Sequence, residues 1–174
     1  GIAIKGRKND LAFQQELCQG IRLLQERYGA RIVLIPFHFS EDMAITEAVT
    51  EQLGNRVTCL RQKYLTEEML SIIGNMDVLI GVRLHSLIHA AIMDVPMIGI
   101  SYDPKVNSFM KSMGLKALCS VYDFEGEYLA EEYERIEKNR EKILEKIRRN
   151  RSMLISRLNL NEELIKKLLE GERP

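Results

Sequence analysis

Short runs of Val, Ile and Leu, five or six residues each, alternate along this chain with longer stretches of helical period, and that alternation restricts the fold more than any other feature. The runs lie at residues 1–5, 31–36, 56–60, 77–82, 96–100 and, more weakly, 117–121. They are short, rich in Val, Ile and Leu and non-alternating, which predicts a parallel sheet covered on both faces. Between the first two runs, residues 9–28 space Leu11, Phe13, Leu17, Ile21, Leu24 and Tyr28 close to a 3.6-residue period. Helices are also expected over residues 40–53, 66–73 and 104–113. These four stop at Gly29, Gly54, Gly74 and Gly114, the residue type that caps a helix in the left-handed conformation. Strand and helix in regular succession predict an α/β fold: a Rossmann-like, doubly wound parallel sheet of about six strands.

After Asp123 the pattern changes. Tyr133, Ile136, Ile143, Ile147, Leu154 and Leu158 recur at steps of three and four through a charged background, with Arg140 and Arg151 interrupting the apolar stripe. One long amphipathic helix, or two broken near Asn150, fits this stretch, and Asn161 starts a last helix. The expected organisation is a Rossmann-like core over residues 1–123, followed by C-terminal helices over 124–174 that pack on the same domain or on a neighbouring one. A coiled-coil pairing is the sharper alternative for those helices.

Total charge narrows the partners. With 25 basic and 25 acidic side chains the chain is neutral, whereas nucleic acid and anionic membranes select basic surfaces. Neither is an expected partner. No apolar run approaches the roughly 18 residues of a membrane span, and the opening residues have no signal-peptide pattern. The expected location is the cytoplasm. Because the chain begins on a strand without an initiator Met, it is expected to be a fragment of something longer. The cysteines Cys18, Cys59 and Cys119 form no CxxC pair and sit among apolar neighbours, so buried reduced thiols are expected.

In an open parallel sheet, ligands bind beyond the carboxyl ends of the strands, where helix N-termini offer free amides. The polar residues at those ends are Lys5, Arg7 and Lys8 after the first run, His38 and Asp42 after the second, Arg83, His85 and Ser86 after the fourth, and Ser101, Asp103 and Lys105 after the fifth. Arg83 and His85 fall at a strand end and a first helical turn. A guanidinium there can hold phosphate or carboxylate through two N–H groups. The helix dipole favours a neutral imidazole, which can serve as a base or a hydrogen-bond donor. The same residues also suit a structural ion pair and a satisfied core histidine, and the sequence leaves both readings open. Asp103 before Pro104 reads as a helix N-cap. Lys105 stands in a first turn whose dipole disfavours cations, which points to an anion nearby. His85 and His89 are four residues apart, a zinc-compatible spacing, but no third ligand accompanies them, so neither metal nor cofactor is expected. GxGxxG, GxxxxGK[ST] and GxSxG are all absent.

The segment Gly81-Val-Arg83-Leu-His85-Ser-Leu-Ile-His-Ala-Ala, followed by Val95-Pro-Met-Ile-Gly-Ile-Ser-Tyr-Asp-Pro-Lys105-Val, resembles the signature of the polysaccharide pyruvyl transferase family, which includes cell-wall pyruvylation enzymes that prepare polymer for S-layer anchoring. The stretch from Pro36 through His38 to Asp42, and Arg7, are similar to weaker family features. His89 lies where the signature has no histidine. The resemblance implies one half, the C-terminal one, of a glycosyltransferase-B type fold, with an absent N-terminal domain as its partner. It implies transfer of pyruvate from phosphoenolpyruvate onto two hydroxyls of a polysaccharide or lipid-linked sugar as a ketal, without a cofactor. On that basis Arg83 and Lys105 bind donor anionic groups with Arg7 as a third cation, His85 is the catalytic acid, and His38, Asp42 and Ser101 line the cleft. A nucleotide-sugar glycosyltransferase donor domain of similar architecture, and a non-catalytic interaction domain built on the C-terminal helices, are the alternatives.

Overall fold

Strand and helix alternate in the computed structural model of the chain, which describes residues 1–5 and 11–169. The elements are β1 (Ile2–Ala3), α1 (Leu11–Tyr28), β2 (Ile32–Leu34), α2 (Phe39–Leu53), a single 3₁₀ turn (Gly54–Arg56), β3 (Val57–Cys59), α3 (Thr66–Gly74), β4 (Leu79–Gly81), α4 (Leu84–Ile92), β5 (Met97–Gly99), α5 (Pro104–Ser112), α6 (Gly126–Lys138) and α7 (Arg140–Leu169). The sheet runs β3-β2-β1-β4-β5, with every pairing parallel. Residues of β1, β4 and β5 are all buried, as their unbroken apolar sequence requires, whereas the edge strand β3 keeps Thr58 exposed.

The sixth strand expected over residues 117–121 is reduced to one parallel bridge, Ser101 to Ser120. Leu118 donates to Gly99 O (2.8 Å) and Val121 to Ser101 O (2.9 Å), so the position beside β5 is filled. The Asp123 amide then turns back onto Ser120 O (3.1 Å) and ends the ladder.

The glycine stops divide by backbone. Gly29, Gly54 and Gly114 take positive φ, at 64°, 60° and 71°. Gly74 does not; it stays inside α3, and Asn75 ends that helix with its side-chain amide on Ser71 O (2.9 Å). After α4 it is Asp94, at φ 56°, that adopts the left-handed turn.

The C-terminal region also departs from expectation. The break lies at Asn139, between α6 and α7, and not near Asn150. Asn150 instead donates from Nδ2 to Lys146 O (2.9 Å), one turn back, so the helix continues through it. No separate helix begins at Asn161; α7 is continuous for 30 residues. Arg140 and Arg151, which interrupt the apolar stripe in sequence, are anchors. Arg151 Nη1 donates to Ala91 O (3.1 Å) and Ile92 O (2.7 Å), carbonyls at the end of α4, and lies 2.7 Å from Asp94 Oδ1. Arg140 Nη2 donates to Asp77 O (3.1 Å). A cation over the last carbonyls of a helix is placed where the dipole favours it. No helix among the described residues is long and apolar enough to cross a membrane.

α6 lies against α1 at backbone distance. A Cβ built on Gly126 would stand 2.5 Å from Gly20 N and 2.6 Å from Glu16 O. Glu16 also accepts from the Gly126 amide through Oε2 (2.9 Å), capping α6 from the neighbouring helix. Phe13–Phe124 and Tyr28–Tyr133 ring pairs, with centroids 5.2 and 4.9 Å apart, flank this contact. Gly126→Ala should therefore push the helices apart and cost about 1–3 kcal/mol. The expected readout is a melting temperature lower by several degrees in thermal denaturation.

Candidate functional site

The strand order reverses between β1 and β4, and in doubly wound sheets the crevice beyond the carboxyl ends of such a pair is where ligands bind. Lys5 follows β1 and Arg83 follows β4. Gly81 lets α4 start close above the sheet: a Cβ there would meet Ser86 Oγ at 2.6 Å and Leu87 Cδ2 at 2.7 Å. Ser86 Oγ in turn donates to Arg83 O (2.6 Å), so the turn carrying Arg83 is braced from below.

The Arg83 guanidinium is already engaged. Its Nε donates to Asp42 Oδ1 and Oδ2 (3.2 and 3.1 Å), and Nη2 donates to Asp42 Oδ1 and to Glu41 Oε2, both at 2.6 Å. The Asp42 side chain is wholly buried and that of Arg83 is 14% exposed, while Glu41 is 56% exposed. Asp42 also accepts from the His38 amide through Oδ2 (2.7 Å), closing the first turn of α2. Burial by itself would lower the Arg83 pKa, but hydrogen bonds to Asp42 and Glu41 outweigh it and raise the pKa. The hydrogen bond from Arg83 holds the Glu41 carboxyl below the usual carboxylate range, with His38 and Lys5 adding to the effect. The Glu41–Arg83 contact is thus present at neutral pH and is lost only as pH falls through that depressed value. Arg83 Nη1 has no hydrogen-bond partner among the described residues.

The other expected site residues separate into two groups. His38 is brought to Arg83 through their shared carboxylates, with His38 Nδ1 3.4 Å from Glu41 Oε1. Lys5 reaches across to β5 and lays its ammonium 3.5 Å from the centroid of the Tyr102 ring, a cation–π contact. His85, on the first turn of α4, and Lys105, on the first turn of α5, are exposed, and neither side chain has a polar partner among the described residues. Ser101 is buried and its Oγ donates to Asp103 O (3.2 Å). Asp103 caps α5 by accepting from Lys105 N (2.8 Å). Arg7 lies outside the described residues. His89 donates from Nδ1 to His85 O (2.7 Å) and stands edge-on to Phe37, with ring centroids 5.0 Å apart. Sequence reasoning missed Glu41 and the Lys5–Tyr102 pair; the three-residue step from His38 to Glu41 was the available signal for the first.

The thiols are less uniform than expected: Cys18 is buried, whereas Cys59 and Cys119 are half-buried, and all three are free. Desolvation raises the Cys119 thiol to about 11 and also raises Cys18. Neither is a thiolate near neutral pH. A cleft of about 700 Å³, lined among others by Gln25, Tyr28, Arg31, Asp77 and Tyr133, opens at the opposite, amino-terminal edge of the sheet and contains none of the expected site residues.

Removing either partner of the Arg83–Asp42 pair strands a buried charge. Asp42→Ala should cost about 3–5 kcal/mol in urea denaturation, whereas Glu41→Ala, which removes an exposed carboxylate, should cost no more than about 1 kcal/mol.

The family model for polysaccharide pyruvyl transferase matches residues 2–104. The matched stretch contains His38, Asp42, Arg83, His85 and Ser101, and ends one residue before Lys105. Comparison with curated proteins finds no match.

Proposed function

The chain belongs to the polysaccharide pyruvyl transferase family, and from that premise we propose that the β1–β4 crevice binds phosphoenolpyruvate and that the chain is the donor-binding part of the enzyme. In this reading residues 1–123 form the donor-binding unit, and the acceptor, a surface or cell-wall polysaccharide sugar, approaches from a separate N-terminal domain.

The reaction sets what the site must supply. Protonation of the donor's methylene carbon makes C2 electrophilic, and one sugar hydroxyl adds there. The C2–O bond to phosphate then breaks, and a second hydroxyl takes the place of phosphate at C2, giving the ketal. Of the two hydroxyl protons, one is balanced by the new methyl group and the other leaves with phosphate. Such a sequence needs fixed cations for the carboxylate and phosphate, an acid for carbon or for the leaving oxygen, and a base for the hydroxyls.

Arg83 is the cation best prepared for this work. Asp42 holds the Nε–Nη2 side of its guanidinium, and the Nη1 side is turned away from that clamp. A pre-oriented guanidinium can donate to a carboxylate or phosphate without first being ordered. α4 starts there without a side-chain cap, so its first amides are available to the same anion. His85, one residue into α4, is assigned the proton donor. Lys105 is assigned a peripheral electrostatic role, and His38 lines the cleft beside Glu41. Ser101, tied to Asp103 O, is assigned to supporting the α5 turn and not to ligand contact. The observation that carries this reading is the clamped, uncapped Arg83 turn at the strand-order reversal.

In the intact protein, Arg83→Ala should reduce phosphate release from phosphoenolpyruvate plus acceptor by at least about 10²-fold. His85→Ala should reduce kcat by about 10²–10⁴-fold with a smaller change in KM. Near-normal turnover in either variant would remove that residue from the mechanism. Binding of nucleotide sugars in preference to phosphoenolpyruvate would transfer the crevice to the glycosyltransferase reading.

A further inference from the structure

The two carboxylates on Arg83 differ in a way that a purely structural ion pair does not need. Asp42 is wholly buried, bonds the Nε–Nη2 side of the guanidinium and also holds the His38 amide. It cannot leave without stranding charge. Glu41 is more than half exposed and takes the remaining Nη2 hydrogen, on the side shared with Nη1. That Nη1–Nη2 side is the one an incoming carboxylate or phosphate would grip through two parallel bonds.

We infer that Glu41 is a displaceable internal anion: in the ligand-free protein its carboxylate occupies half of the anion-binding side of Arg83, and a bound ligand's carboxylate or phosphate takes its place. This rests on the reading of the crevice as an anion site and adds to it a positioning and selectivity role for Glu41. One neighbour makes the exchange practicable: His38 Nδ1, 3.4 Å from the other Glu41 oxygen, gives the displaced carboxylate a second partner on the same turn. Asp42 stays on the Nε–Nη2 side throughout, so Arg83 remains paired in both states and the exchange replaces only the anion on its outer side. A neutral sugar hydroxyl does not supply the charge needed to displace Glu41, and the contact therefore selects for anionic ligands over the sugar acceptor.

The test is titration of the protein with phosphoenolpyruvate and, separately, inorganic phosphate, by calorimetry at low ionic strength, for wild type, Glu41→Gln, Glu41→Ala and Arg83→Ala, with circular dichroism to establish that each variant is folded. Both Glu41 variants should bind each anion about 3- to 10-fold more tightly, because a competing charge has gone. Arg83→Ala should lose binding. If Arg83→Ala loses binding while both Glu41 variants match or fall below wild type, the displaceable-anion role is overturned and the crevice reading stands. If Arg83→Ala binds like wild type, the crevice reading itself falls, and with it the role of Glu41.

Discussion

A carboxylate with no exposed surface is tolerable only beside a cation that hydrogen-bonds it, and the pair of Asp42 and Arg83 meets that condition at the centre of the sheet's carboxyl edge. Much of the local architecture follows from it. The pair joins the first turn of α2 to the turn after β4, on either side of β1. It requires α4 to begin close above the sheet, which Gly81 permits, and it requires Arg83 to sit at the N-cap, where Ser86 braces its carbonyl. One interaction thus sets the position of two crossover helices and the direction of the guanidinium between them.

The periphery follows a related principle. Arg140 and Arg151 look like defects in an apolar stripe, yet each donates to backbone carbonyls at the end of a helix or just before a strand. Leu or Ile at these positions would extend the stripe but remove the donors to Asp77 O and Ile92 O. The Gly20–Gly126 contact serves the opposite end of the size scale: two helices approach until backbone touches backbone, and Glu16 can then cap α6 from α1. A clamped arginine stands at the strand-order reversal on the carboxyl edge of the parallel sheet, while a cleft of about 700 Å³ lies at the other edge. The two edges differ in chemistry. The carboxyl edge holds helix N-termini and fixed charge, and the amino edge holds neither the signature residues nor the start of α4.

Much of this was legible in the chain. The short apolar runs and their glycine-terminated helices anticipated every strand position, because burial on both faces leaves a direct compositional trace. The Asp103–Pro104 cap was readable for the same local reason. Legibility failed where the outcome depends on a partner distant in sequence. Whether Gly74 or Asn75 ends α3, whether Asn150 breaks a helix or bonds back onto it, and whether residues 117–121 pair for one rung or four depend on competing hydrogen bonds of similar strength.

By itself, then, the sequence determined the layered α/β class, the edge of the sheet at which polar residues collect, and the identity of the Arg83–His85 turn, since periodicity and turn chemistry are properties of neighbouring residues. Tertiary structure decided what that turn is doing. Asp42 lies 41 residues from Arg83, and no local pattern reveals that a buried carboxylate claims one side of the guanidinium while an exposed one borrows part of the other. Electrostatic compensation depends on distance in space, which only the folded chain supplies.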